Sequence, residues 1–238
     1  SETALGAQEV SIKTSNILNK SQKGLFISSA CPVIVEYIRL YYPKFAENIV
    51  PIASPALTHA KMLKEAYGND IAVVFIGPCV AKKSESDRHP DLINVSLTFE
   101  ELNYWIKEEF IDVNNLSQNQ NDNFVLANSN EGAIYPIEGG MNETIKKSGV
   151  DENTQLLSIS SLSAFDKSIK NLEPQKLDKK IFIEALACSG GCINGPCISS
   201  SKSSINITSN ILKNIKYRKN IPNEANIVVA ENYEAKPV

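Results

Sequence analysis

The chain lacks any apolar run near the roughly 18 residues that a membrane-spanning helix needs, which excludes an integral helical membrane protein. It lacks a strong charge of either sign. Twenty-four basic and 27 acidic residues leave a net charge of −3, which gives no electrostatic reason to expect a nucleic acid or an anionic membrane as partner. Its start, Ser1-Glu2-Thr3-Ala4-Leu5-Gly6, lacks the basic flank and apolar stretch of an export signal, and points to a cytoplasmic protein. The initiating Met is missing too, so the 238 residues read as a processed, excised or partial chain. Histidine is nearly absent: His59 and His89 are the only two, and no motif positions either as a ligand. The short Cys-x2-Cys knuckles of structural zinc sites are also absent.

What is there is cysteine in an unusual arrangement. An odd count of five argues against a disulfide framework. Three fall in one glycine-rich stretch, Cys188-Ser189-Gly190-Gly191-Cys192-Ile193-Asn194-Gly195-Pro196-Cys197, and the others stand beside prolines as Cys31-Pro32 and Pro78-Cys79. Glycines let a backbone wrap closely around a bound object, and clustered thiolates on such loops read as an iron–sulfur or metal site. Taken singly, Cys31 and Cys79 read as well as buried core thiols, because free cysteine is among the most buried residue types.

The hydrophobic pattern alternates between short apolar runs and helical stripes. Residues 1–24 carry a helical pattern through Val10, Ile12, Ile17 and Leu18. Leu25–Ile27 reads as a strand, and Ile34, Tyr37, Ile38 and Tyr41 as a helix with Pro32 in its first turn and Cys31 at its N-terminus, where a thiolate is favoured. A helix from about Pro55 to Tyr67 stops at Gly68. The run Ile71–Ile76 reads as a strand buried on both faces, and Lys82–Pro90 as an exposed charged segment. Thr98 and Glu101 form a capping box. Residues 113–123, rich in Asn and Gln, read as a loop between two lobes. Phe124–Ala127, Leu156–Ile159 and Ile181–Ala187 read as strands, and Glu138-Gly139-Gly140-Met141 opens a helix. Ser199–Ser204 reads as a linker, followed by a helix from about Ile207 to Tyr217 and a tail from Ile221.

This alternation predicts an α/β chain of two lobes, about 25–112 and 124–198, with mostly parallel sheets flanked by helices and residues 199–238 as an appendage. Every cysteine site follows a predicted strand, and in open α/β sheets ligands bind beyond the carboxyl ends of strands. That places Cys31, Cys79, Cys188 and Cys192 within reach of one crevice between the lobes. Four thiolates suit a 4Fe-4S cluster, with four-cysteine zinc as the second choice.

Ser28-Ser29-Ala30-Cys31-Pro32, Gly77-Pro78-Cys79-Val80-Ala81-Lys82-Lys83-Ser84-Glu85 and Glu184-Ala185-Leu186-Ala187-Cys188-Ser189-Gly190-Gly191-Cys192 resemble the three signature loops of the iron-only (FeFe) hydrogenases, in the same order. Asp91–Leu102 and Gly132–Met141 resemble the stretches between them, so the likeness covers roughly residues 1–198.

The resemblance implies an H-cluster, a 4Fe-4S cubane joined through one cysteine to a two-iron centre carrying CO and cyanide. It assigns the cubane to Cys31, Cys79, Cys188 and Cys192, with Cys192 as the bridge, and gives Lys82 a hydrogen bond to an iron-bound cyanide. It places Ser54 in the cluster pocket and Tyr135 where the family often has an aromatic residue. The implied partners are H2, protons and electron-transfer or signalling domains. Three departures stand out: Ala30 replaces the cysteine that relays protons in catalytic members, and Gly77 and Leu186 replace methionines, so a larger pocket is expected around the two-iron site. These changes resemble the sensory branch of the family. They also leave open a non-enzymatic 4Fe-4S protein akin to iron–sulfur assembly factors. Cys197 is an additional thiol without a family counterpart.

Overall fold

The computed structural model describes residues 1–117, 124–126, 129, 131–198 and 203–218. The first helix, α1 (Thr3–Lys20), leads into β1 (Gly24–Ile27), followed by α2 (Pro32–Tyr41) and α3 (Pro55–Tyr67). Then come β2 (Val74–Gly77), α4 (Ala81–Arg88), β3 (Val95–Thr98) and α5 (Phe99–Glu108). The rest is α6 (Gly140–Lys147), β4 (Thr154–Ser160), α7 (Leu162–Ile169), β5 (Lys180–Leu186) and α8 (Ser204–Arg218). All the strand pairs are parallel: β1-β5-β4 form one sheet and β2-β3 another.

Local chemistry sets the element ends. Pro32 and Pro55 open α2 and α3, where their missing N–H costs nothing. The Ser54 hydroxyl accepts from the Leu57 amide and caps α3, which ends at Gly68 with φ of 95°. The expected capping box is present: Thr98 accepts from the Glu101 amide, and Glu101 accepts from the Thr98 amide.

Sheet membership departs from a division of the chain at the Asn/Gln-rich stretch. β1, from the expected first lobe, pairs along its length with β5 of the second. The reason is burial: Leu25 and Ile27 join Ile183, Ala185, Phe165 and Ile169 in one core, and each large side chain so buried contributes about 1.5–3 kcal/mol. The run Ile71–Ile76 shortens to β2, and its outer face is open. Val74 and Ile76 are 43% and 38% exposed, because among the described residues β2 has only β3 beside it. Phe124–Leu126 form no strand: Leu126 takes φ of 76°, Phe124 and Val125 are exposed, and Ala127 lies outside the described residues. Residues 118–123, 199–202 and the tail from 219 also lie outside them. The sequence reading missed β3 and α7. No described helix is long and apolar enough to cross a membrane.

The end of α2 is tied to α7 by two phenols. Tyr37 and Tyr42 both donate to Asp166 Oδ1, at 2.9 and 2.5 Å. That bond, with some desolvation, pushes the Tyr42 phenol up from 10.0 to about 12. The protonated phenol is the form the fold favours. Its stabilising contribution is therefore complete below pH 10 and is lost as pH rises through about 12. In urea titrations the unfolding midpoint should fall between those values, and Tyr42→Phe should remove much of that fall.

Candidate metal centre

Three strand ends present the cysteines. Cys31 lies four residues past β1 as the N-cap of α2, Cys79 two past β2, and Cys188 two past β5. Cys192 follows through the tight Gly190-Gly191 turn, whose φ values of 75° and 103° suit glycine alone. The four thiols lie within electrostatic reach of one another. The charge of Cys31 acts on Cys188 and Cys192, that of Cys79 on all three others, and that of Cys188 on Cys192.

Burial is the main force on Cys31, Cys188 and Cys192 and repulsion from neighbouring cysteines adds to it, pushing Cys31 and Cys188 up and Cys192 to about 12. These shifts favour the neutral thiols, and a bound metal group would be needed to hold them as thiolates. Among the described residues, no set of three or more His, Cys, Asp or Glu is spaced to grip a single ion. A lone zinc draws thiolates to about 2.3 Å from one centre. An iron–sulfur cluster binds one thiolate at each corner and so asks for a wider set of donors than a single ion does.

Lys82 is the cation at the site. It lowers the cost of charge on both Cys31 and Cys192, though less than burial raises it. The expectation that Lys82–Pro90 is exposed is corrected here. α4 turns Lys82 inward to 8% exposure, with Glu85 and Ser86 also buried, because a buried ammonium needs partners on its own helix. Lys82 Nζ donates to Glu85 Oε2 at 2.6 Å and to Ser54 Oγ at 3.0 Å, and Ser54 donates to the same carboxylate oxygen at 2.9 Å. Ser54, which the resemblance placed in the cluster pocket, is joined to Lys82, and Glu85 is the member that sequence reasoning left in solvent. Its signal was the three-residue spacing from Lys82, which places both on one helix face.

Other residues settle differently. His59, which no motif marks as a ligand, is buried, and desolvation pulls its imidazole down to about 4. Tyr135 is buried and shares a 2.7 Å hydrogen bond with Ser11 of α1. Ala30 packs against the same apolar group as Tyr135, Met141 and Val10. The wider pocket expected from Gly77 is taken up on that side by the Phe75 ring, 2.8 Å from where a β-carbon would stand. Cys197 lies within electrostatic reach of Cys79 and Cys188 at the outer edge of the group.

Comparison with known proteins places the chain in a family. The family model for the C-terminal domain of the iron-only hydrogenase large subunit matches residues 1–196. Iron hydrogenase 1 of Clostridium pasteurianum is 24% identical over 264 aligned positions, covering 88% of this chain and 46% of that protein. The large subunit of the periplasmic Fe hydrogenase from Nitratidesulfovibrio vulgaris is 26% identical, covering 71% of this chain and 50% of that one. The chain therefore spans about half the length of these relatives. An FeFe-hydrogenase from Chlamydomonas reinhardtii superposes with a TM-score of 0.63 at 19% identity, over 92% of this chain and 73% of that one. A second FeFe-hydrogenase structure, from a study of oxygen inactivation of the H cluster, gives 0.66 at 19% identity, over 92% and 76%. These superpositions share the α/β fold of parallel sheets flanked by helices. With four cysteines brought together from three strand ends, and a family match over most of its length, the chain belongs to the family formed by the C-terminal domain of iron-only hydrogenase large subunits.

Proposed function

We propose that this chain forms the larger part of an H2-handling iron–sulfur domain, in which Cys31, Cys79, Cys188 and Cys192 hold a 4Fe-4S cubane and Cys192 also bridges to a two-iron centre. The observation that carries the reading is that these four thiols, Cys31 buried and the other three half-buried, lie within reach of one another's charge beside a buried ammonium. When bound, the two-iron centre supplies the cleavage or formation of H2 and carries CO and cyanide.

The chain's own residues do the rest. The cysteine thiolates bind the cubane. Lys82, anchored by Glu85 and Ser54, keeps an ammonium in a site poor in water, where a hydrogen bond to an anionic diatomic ligand such as cyanide is strong. Ala30 has no exchangeable proton, so the position beside Cys31 moves none. This loss, with Gly77 and Leu186, favours slow turnover or H2 sensing over rapid catalysis. The partners are H2, protons and an electron-transfer or signalling module. Reduced thiols suit the cytoplasm, and cell fractionation tests that placement.

Infrared spectroscopy of anaerobically matured protein, supplied with the remainder of the domain, tests the reading. Bands of metal-bound CO and cyanide with six irons per chain are expected. Cys192→Ser should abolish the bands while the cubane absorption persists. Four irons and no bands would leave a non-enzymatic cubane protein instead.

A further inference from the structure

The loop that carries Cys192 is gripped by a second segment, residues 134–140, which precedes α6. Ile193 N donates to Pro136 O at 3.2 Å, and Glu138 N donates to Gly190 O at 3.3 Å. The approach is close enough to exclude side chains. A β-carbon on Gly191 would stand 2.4 Å from Pro136 O; within the segment itself, one on Gly140 would stand 2.0 Å from Ile134 O. A further tie runs from Gly190 N to Ser160 Oγ at 2.9 Å and from Ser160 Oγ to Glu138 Oε2 at 2.7 Å.

The gripping segment is itself hung from one carboxylate. Glu184 lies on β5, four residues before Cys188, and is 1% exposed. It accepts from the amides of Met141 and Asn142, both at 3.3 Å, in the first turn of α6, and from Ser158 Oγ of β4 at 3.1 Å. A carboxylate at a helix N-terminus meets aligned N–H groups and a partial positive charge, which offset the cost of burying it. Its partners lie on two other elements, so this side chain joins β5 to β4 and to α6. The strand that ends at the cysteine loop therefore also fixes the helix whose leading segment holds that loop from the other side.

We infer that Glu184 is a positioning residue for Cys192, acting through the first turn of α6 and the 134–140 segment. This rests on the proposed role of Cys192, but the arrangement belongs to the polypeptide and is testable without any cluster. Without the carboxylate, the two α6 amides and the Ser158 hydroxyl lose a buried acceptor. The 134–140 segment loosens, and the Cys192 loop loses its outer wall. Cys31 and Cys79, held by α2 and the β2 end, do not depend on these bonds.

The test is the alkylation rate of each cysteine in the reduced, metal-free chain, read by mass spectrometry under native conditions. Glu184→Ala should raise the Cys192 rate about ten-fold or more relative to Cys31 and Cys79. Glu184→Gln keeps the shape and one acceptor oxygen, so it should fall between, and it serves if the alanine variant does not fold. Phe182→Leu, a core change on the same strand, is the control for general loosening and should raise the rates together. The inference is overturned if Glu184→Ala or Glu184→Gln leaves Cys192 unchanged, or raises all the thiols in the proportion that Phe182→Leu does. The infrared experiment reads the cluster and this one the chain, so the two fail independently.

Discussion

Changing Lys82 to methionine should lower the unfolding free energy by about 3–5 kcal/mol, the usual cost of leaving one partner of a buried ion pair alone. For a domain of this size that is a fall of roughly 10 °C in Tm. The magnitude follows from where the pair lies. Lys82 and Glu85 retain 10% and 8% side-chain exposure at 2.6 Å, and Ser54 is committed to the same carboxylate oxygen. A surface pair such as Lys146–Glu143, with over half of each side chain in water, is worth about 0–1 kcal/mol. Lys82→Met paired with Glu85→Leu removes both charges and should recover most of the loss, because exchanging a buried pair for apolar groups of similar volume is often neutral. Thermal unfolding of the two variants and the parent, all metal-free, checks this. A loss under about 1 kcal/mol for Lys82→Met would mean that the ammonium reaches water.

Ala30→Cys should raise the H2-dependent turnover of matured protein by about 10²–10⁴-fold, the usual contribution of a well-placed proton donor or acceptor. Ala30 precedes Cys31 and packs against the apolar group of Tyr135, Val10 and Met141, where burial holds the Tyr135 phenol protonated. A thiol there adds the missing acid–base group without touching a proposed ligand. The measurement is H2 oxidation with an artificial electron acceptor, beside the infrared spectrum of the same sample. Bands without a gain in rate would place the proton route elsewhere. The absence of both would count against the two-iron centre itself.

Much of the site was legible from the chain alone because its chemistry is local. Cys31 beside Pro32, Cys79 after Pro78, and the two glycines between Cys188 and Cys192 announce loops at element ends, and the structure has them there. The start of a helix near Pro55 and the Thr98–Glu101 box were readable for the same reason. Each depends on residues a few positions apart.

Residues distant in sequence decided the rest. Nothing within Leu25–Ile27 says that it pairs with Ile181–Ile183, about 155 positions later, since parallel strands carry no turn signal that names their neighbour. Nothing within Ile71–Ile76 reveals that one face is left open, because an apolar run reads the same with or without a layer over it. From the charged residues around it in sequence Lys82 reads as solvent-facing, and only the resemblance placed it in the cluster pocket. Only the turn of α4 toward Ser54 makes it a buried cation. Sequence alone marked the residues proposed to carry the chemistry, since thiols, a lysine and glycines act through their own side chains or lack of them. Tertiary structure decided what each of them faces, since burial and electrostatics depend on the neighbours that folding supplies.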